Sequence, residues 1–148
     1  MEKKIILLVE DNLDDIKLTQ RAFLKSNIAD GIDLIIAQDG LEALDYLYES
    51  KTEGHNKRHI PTVILLDLNL PKVNGLQVLE RIRNDKNTKL IPVIILTSSK
   101  EEADLTRAYK LGANSYIRKP VDFIKFKEAI QQLGLYWVEL NESPPSNN

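Results

Sequence analysis

Val63-Ile64-Leu65-Leu66-Asp67-Leu68-Asn69-Leu70-Pro71 is a run of branched apolar residues that ends on a carboxylate and then turns at a proline. Four apolar residues with no polar alternation describe a strand covered on both faces, the habit of a parallel sheet. Similar runs occupy residues 5–9, 32–37 and 93–96, with a weaker one at 115–117. Helix-length segments with apolar stripes lie between them. Leu18, Ala22 and Phe23 mark the first; Leu41, Ala43, Leu44, Leu47 and Tyr48 the second; Leu76, Leu79 and Ile82 the third. Ala103, Ala108 and Leu111 give a weaker fourth, while Phe123, Phe126, Ile130 and Leu133 recur at helical spacing in the fifth. Five repeats of strand then helix imply right-handed crossovers and a doubly wound α/β sandwich of (βα)5 type. Turn chemistry agrees: Asp39-Gly40 and Asn74-Gly75 precede helices, Gly112 follows one, and Pro92 opens a strand.

Composition narrows the function classes. The 148 residues fit one domain, and 43% hydrophobic with 28% charged residues is the balance of a soluble globular chain. A formal net charge of -2 gives no reason to expect nucleic acid as partner. The absence of cysteine excludes disulfides, thiolate metal sites and a cysteine nucleophile. Lys3-Lys4 before an apolar run resembles the start of a signal peptide, but the run stops after five residues at Glu10-Asp11. No run reaches the roughly 20 residues that span a bilayer, so a cytoplasmic protein with no membrane partner is expected. Residues 50–61 form a polar loop containing His55 and His59; with Gly54 and Pro61 beside them and no third ligand, a solvated loop is the reading rather than a metal site. Residues 142–148, with Pro144-Pro145 and polar neighbours, are expected to be a disordered tail to a single domain over 1–141.

In an open parallel sheet, ligands bind beyond the carboxyl ends of the strands. Glu10 and Asp11 follow the first strand, Asp67 the third, Thr97 the fourth and Lys119 the fifth. Three acids at one edge repel one another unless a cation joins them, and all-oxygen donors with solvent access suit Mg²⁺. An Asp carboxylate can attack phosphorus to form an aspartyl-phosphate, a transfer that needs charge neutralisation and alignment above all. Lys119 would lie on the phosphoryl oxygens and the Thr97 hydroxyl would donate to one of them. Taken singly, each residue is as readily a helix cap or a surface side chain; their joint placement makes the argument.

The segments Leu8-Val9-Glu10-Asp11-Asn12, Leu65-Leu66-Asp67-Leu68-Asn69-Leu70-Pro71, Asn74-Gly75, Leu96-Thr97-Ser98-Ser99 and Gly112-Ala113-Asn114-Ser115-Tyr116-Ile117-Arg118-Lys119-Pro120 closely resemble the CheY-like receiver domains of two-component response regulators. That resemblance covers residues 4–133 and implies strand order 2-1-3-4-5. It implies that Asp67 accepts a phosphoryl group from a sensor histidine kinase. It also implies that Asp11 binds Mg²⁺ directly, with Glu10 acting through water, and that Asp67 and the Asn69 carbonyl complete the ligands. Thr97 and Tyr116 match the switch pair and Lys119 the phosphate-binding lysine, while Asn69 and Ser99 stand where the family influences water attack on the acyl phosphate. The long loop and the ending Leu133-Gly134-Leu135-Tyr136-Trp137-Val138-Glu139-Leu140-Asn141 are similar to the phytochrome-associated, Rcp-type regulators of cyanobacteria and other bacteria, which implies a light-regulated kinase.

Phosphorylation would draw Thr97 toward the new group and let Tyr116 turn inward, repacking the fourth and fifth helices. Only residues 135–148 lie beyond the receiver's usual end, so no effector domain is expected and the output is protein–protein interaction with an unidentified downstream protein. Trp137 and Leu140 fall four and seven residues after Leu133, in phase with the fifth helix, which is expected to continue through Gly134. A homodimer through the fourth helix, fifth strand and fifth helix, with Phe126, Leu133 and Trp137 in the interface, is the expected partner arrangement; the alternative is that Trp137 folds back on its own domain. The chain is read as a phospho-acceptor rather than an enzyme, with autodephosphorylation at most. A phosphatase of haloacid-dehalogenase type is the competing reading, but it would need a second acid where Asn69 stands. A flavodoxin-type flavin site is disfavoured by the acidic loop from Glu10 to Asp15.

Overall fold

The computed structural model describes residues 3–26, 29–48 and 60–145. Strands β1 (Lys4–Val9), β2 (Ile32–Ala37), β3 (Val63–Leu66), β4 (Val93–Thr97) and β5 (Ser115–Arg118) form one parallel sheet in the order β2-β1-β3-β4-β5. Helices α1 (Leu13–Leu24), α2 (Gly40–Tyr48), α3 (Gly75–Asn84), α4 (Glu102–Lys110) and α5 (Phe123–Gly134) supply the crossovers. The doubly wound sandwich read from the apolar runs is the observed one. His55 and His59 lie outside the described residues, as does the end of the tail; residues 142–145 are exposed without regular structure.

Alternate side chains of the central strands point to opposite faces and build two cores. Ile6, Leu8, Val63, Leu65, Ile94 and Leu96 meet Ile16 and Phe23 of α1 and Phe126 and Ile130 of α5. Leu7, Val9, Ile64, Leu66, Val93 and Ile95 meet Val78, Leu79 and Ile82 of α3 and Ala108 of α4. The outer strands β2 and β5 are only partly covered, as edge position dictates. Three stripe residues of the sequence reading face outward: Leu41, Ala103 and Phe123 each lie in the first turn of a helix, where the chain has not yet reached the sheet.

The end of the chain departs from its expected phase. The helix does pass through Gly134, which keeps right-handed helical angles, but Leu135–Leu140 adopts π geometry, with Asn141 N–H donating to the Tyr136 carbonyl at 2.7 Å. A wider turn moves the buried position to five residues after Leu133. That residue is Val138, 2% exposed, whereas Leu140 is 64% exposed. Trp137 is half-buried and packs on its own α1–α5 core, and the Lys4 ammonium donates to the Val138 carbonyl at 2.6 Å. Phe126 and Leu133 are likewise buried in this chain's own core, which removes them from the surface a second copy would meet. The exposed apolar side chains along this element are instead Phe123, Ile124, Leu135, Tyr136 and Leu140.

Candidate functional site

Each strand-end residue is held by one further ladder-type hydrogen bond past, or at, the end of its strand. Glu10 N–H donates to the Ala37 carbonyl (2.9 Å), Asp67 N–H to Val9 (3.0 Å) and Lys119 N–H to Thr97 (2.8 Å). Rigid sheet backbone thus aims the side chains before any of them touches another. Glu10, Asp67 and Thr97 are buried, while Asp11 faces solvent at the mouth.

Lys119 is the centre of the charge arrangement. Its ammonium lies 2.6 Å from Glu10 Oε1, 2.8 Å from Asp15 Oδ2 and 3.1 Å from Asp67 Oδ2, with its own side chain 9% exposed. Burial alone would favour a neutral amine, but hydrogen bonds to Asp15 and Glu10 and the charge of Asp67 push the group above its ordinary pKa. Burial also pushes the Glu10 carboxyl up to about 7, helped by repulsion from Asp67 and opposed by Lys119. The other oxygen of Asp67 accepts the backbone N–H groups of Leu68 (2.7 Å) and Asn69 (3.3 Å).

The turn carrying Asp67 is clamped by α3. Asn74 caps that helix in a reciprocal box with Gln77, and Gly75 N–H donates to the Leu68 carbonyl at 2.9 Å. A Cβ at Gly75 would run into the Asp67 carbonyl, so the close approach requires glycine.

Carboxylate oxygens of Glu10, Asp11 and Asp67 lie within 4.8 Å of one another. Three hard oxygen donors, no nitrogen or sulfur donor among them and one exposed member open to water fit a small divalent cation that keeps part of its hydration shell. Asn69 is exposed beside them, its N–H turned to Asp67. Across the site the Thr97 hydroxyl oxygen accepts Ser99 N–H at 3.3 Å. The Tyr116 ring packs on the α3–α4 core, and among the described residues its buried hydroxyl has no partner at hydrogen-bond distance.

The response regulator receiver domain family matches residues 6–131. The chain belongs to that family. The probable methanogenesis regulatory protein FilR2 of Methanothrix harundinacea (strain 6Ac) is 41% identical over 95% of this chain and 87% of its own. Response regulator Rcp1 of Synechocystis sp. is 39% identical over 92% and 90%. Among solved structures, the Mn(2+)-bound form of response regulator Rcp1 superposes with TM-score 0.86 at 37% identity, covering 96% of this chain and 99% of that one. The phosphorylated cyanobacterial phytochrome response regulator RcpA superposes with TM-score 0.87 at 36% identity, covering 97% and 99%. This receiver therefore shares sequence and fold with phytochrome-associated regulators, and among the described residues no helix is long and apolar enough to cross a membrane.

Asp15 is the participant that sequence reasoning missed. Its signal was present: Asn12 caps α1 through the Asp15 N–H (3.0 Å), which places Asp15 on the first turn above the strand-end acids. Beyond Glu10 and Asp11, the acidic run enters the sequence reading only as an argument against a flavodoxin-type flavin site.

Proposed function

We propose that this receiver accepts a phosphoryl group on Asp67 from a sensor histidine kinase and signals through protein–protein contact. The observation that carries the reading is the meeting of Glu10, Asp11 and Asp67 within 4.8 Å at the sheet edge that also holds Lys119 and Thr97. A carboxylate oxygen of Asp67 attacks phosphorus in line; the new P–O bond forms as the bond to the phosphohistidine nitrogen breaks, and the imidazole keeps the electron pair. Leu68 and Asn69 N–H groups hold the carboxylate during attack, and Lys119 exchanges part of its contact with Asp67 for a phosphoryl oxygen. The Thr97 hydroxyl, which keeps its proton free while accepting Ser99 N–H, donates to another. Mg²⁺, held by Asp11, Asp67 and the Asn69 carbonyl with Glu10 through water, would supply the remaining positive charge.

RcpA, a cyanobacterial phytochrome response regulator, and the bacteriophytochrome response regulators AtBRR and RtBRR support a photoreceptor kinase as donor, and a cytoplasmic location is part of the same proposal. The homodimer through α4, β5 and α5 is carried forward with its apolar contacts reassigned to exposed Leu135, Tyr136 and Leu140. Acetyl phosphate with Mg²⁺ tests the reaction: intact-mass measurement should show one acid-stable, base-labile phosphoryl adduct that disappears in Asp67→Asn. A wild type that gains no adduct, or an Asp67→Asn variant that still gains one, refutes the assignment. Light scattering on the same samples reads the dimer separately.

A further inference from the structure

Helix α4 is the least anchored helix of the described fold, and its two ends are held by different devices. Only Ala108 is buried along it. Its N-cap residue, Glu101, makes no side-chain capping bond. The work falls to Ser99, two residues earlier, whose hydroxyl donates to Asp104 Oδ2 at 2.6 Å while its oxygen accepts Glu101 N–H at 3.3 Å. A serine outside the helix and an acid on its first turn thus form a displaced capping pair. Ser99 N–H in turn donates to the Thr97 hydroxyl, so one continuous chain runs from Thr97 through Ser99 to Asp104.

The far end is fixed by Arg83 of α3. Its Nε donates to the Gly112 carbonyl (2.9 Å), its Nη1 to Lys89 (3.0 Å) and Ile91 (2.8 Å), and its Nη2 to Asn114 Oδ1 (2.7 Å). Asn114 Oδ1 also accepts Val93 N–H at 2.8 Å, tying the same node to β4. Gly112 sits at φ +106, and a Cβ there would press on the Arg83 side chain. Rotation of α4 about this end is sterically defined, whereas among the described residues its first turn is tied to the loop before it by the Ser99–Asp104 pair, with Arg118 reaching only the Lys100 carbonyl ahead of the helix at 3.4 Å.

We propose that Asp104 is a positioning residue: through Ser99 it latches the first turn of α4 to the Thr97 loop, and α4 pivots on the Arg83–Gly112 node when that latch opens. The proposal rests on the phospho-acceptor reading of Asp67 for its trigger. Movement of Thr97 toward a group on Asp67 draws the Ser99 backbone with it and parts Ser99 from Asp104. The Tyr116 hydroxyl is buried nearby, with burial raising its pKa and Ser99 the side chain that opposes the rise, so release of Ser99 from Asp104 frees that oxygen to pair fully with Tyr116. Because the latch closes only the unmodified state, it restrains activation.

The test uses the full chain with beryllofluoride and Mg²⁺ as phosphoryl mimic, comparing wild type, Asp104→Ala, Ser99→Ala, the double variant and Asp104→Asn. Asp104→Ala and Ser99→Ala should each bind beryllofluoride about three- to tenfold more tightly, the effect of removing one hydrogen bond from the resting state. The double variant should match Ser99→Ala, which already removes the contact with Asp104 along with the Glu101 N–H bond. Asp104→Asn, which keeps an acceptor for Ser99, should stay within about twofold of wild type. Amide exchange without beryllofluoride supplies the independent readout: Leu105 and Thr106 should exchange faster in the Ala variants, while Leu111 and Gly112, at the pivot, should not. Wild-type affinities in both Ala variants, additive effects in the double variant, or faster exchange spread evenly along α4 would each overturn the latch. Failure of every variant and wild type to bind beryllofluoride would sink the Asp67 reading instead, leaving the exchange comparison to judge the resting latch.

Discussion

Replacing Lys119 with methionine keeps the volume of the side chain and deletes the cation that, among the described residues, faces Glu10, Asp15 and Asp67 together. The three contacts lie at 2.6, 2.8 and 3.1 Å, and the side chains of Lys119, Glu10 and Asp67 are 9%, 2% and 6% exposed, so water screens them weakly. Removing one partner from a buried ion pair costs about 3–5 kcal/mol, because the orphaned charge stays buried. Asp15 is 22% exposed and Asp11 stands in solvent, which places this case at the lower end, about 3 kcal/mol. For a chain of this length that is a fall in Tm of about 10 °C. Urea unfolding of wild type and Lys119→Met, each with and without Mg²⁺, reads both the loss and its rescue. A cation gathered by Glu10, Asp11 and Asp67 binds the folded state alone, so saturating Mg²⁺ should raise the stability of the variant more than that of the wild type, where an ammonium already neutralises the cluster. A loss below about 1 kcal/mol would mean the ammonium is solvent-screened after all. Equal stabilisation of both proteins by Mg²⁺ would show that the three carboxylates do not act together on a cation.

Other outcomes follow from single contacts. Gly75→Ala drives a methyl into the Asp67 carbonyl and should cost about 2 kcal/mol by overpacking while slowing phosphorylation by acetyl phosphate; unchanged stability and rate would show that the turn gives way freely. Val138→Ala should cost about 2 kcal/mol and Leu140→Ala under about 0.5 kcal/mol by thermal unfolding; the reverse order would restore an α-helical register to the end of the chain. Asp39 caps α2 through Glu42 N–H (2.7 Å), and that bond first, opposed by burial and helped by Lys72, holds its carboxyl below the ordinary pKa of 3.8. Its contribution is therefore complete above pH 3.8 and is lost as pH falls through the depressed folded value. Asp39→Asn should flatten the acid limb of the stability curve below about pH 4 relative to wild type while retaining the cap, and identical acid limbs would refute the assignment.

Sequence and structure agree where one physical signal dominates and part where two compete. Val63 to Leu66 had to be a central strand because no other element hides four consecutive apolar side chains on two faces, and the same logic placed Asp67 at the sheet edge. Asp104 was invisible for the opposite reason. Its partner Ser99 lies outside the helix, and a capping pair displaced by two residues has no spacing that separates it from ordinary loop polarity. Trp137 and Leu140 were read with a 3.6-residue period, and the π turn shifted the buried position to Val138. Nothing local in Leu-Tyr-Trp-Val-Glu-Leu announces that turn; the Lys4 contact with the Val138 carbonyl, 134 positions away along the chain, is one of the tertiary interactions present at it. The same distinction separates the two halves of the switch. The acid cluster, Thr97 and Lys119 are strand-end residues, so topology alone brings them together, whereas the pivot at Arg83 and Gly112 joins α3, β4 and the end of α4 through side-chain donors to backbone carbonyls. A site built on strand ends can be read from order along the chain; a hinge built from carbonyl acceptors leaves a glycine at positive φ and an arginine bonded to backbone carbonyls as its trace.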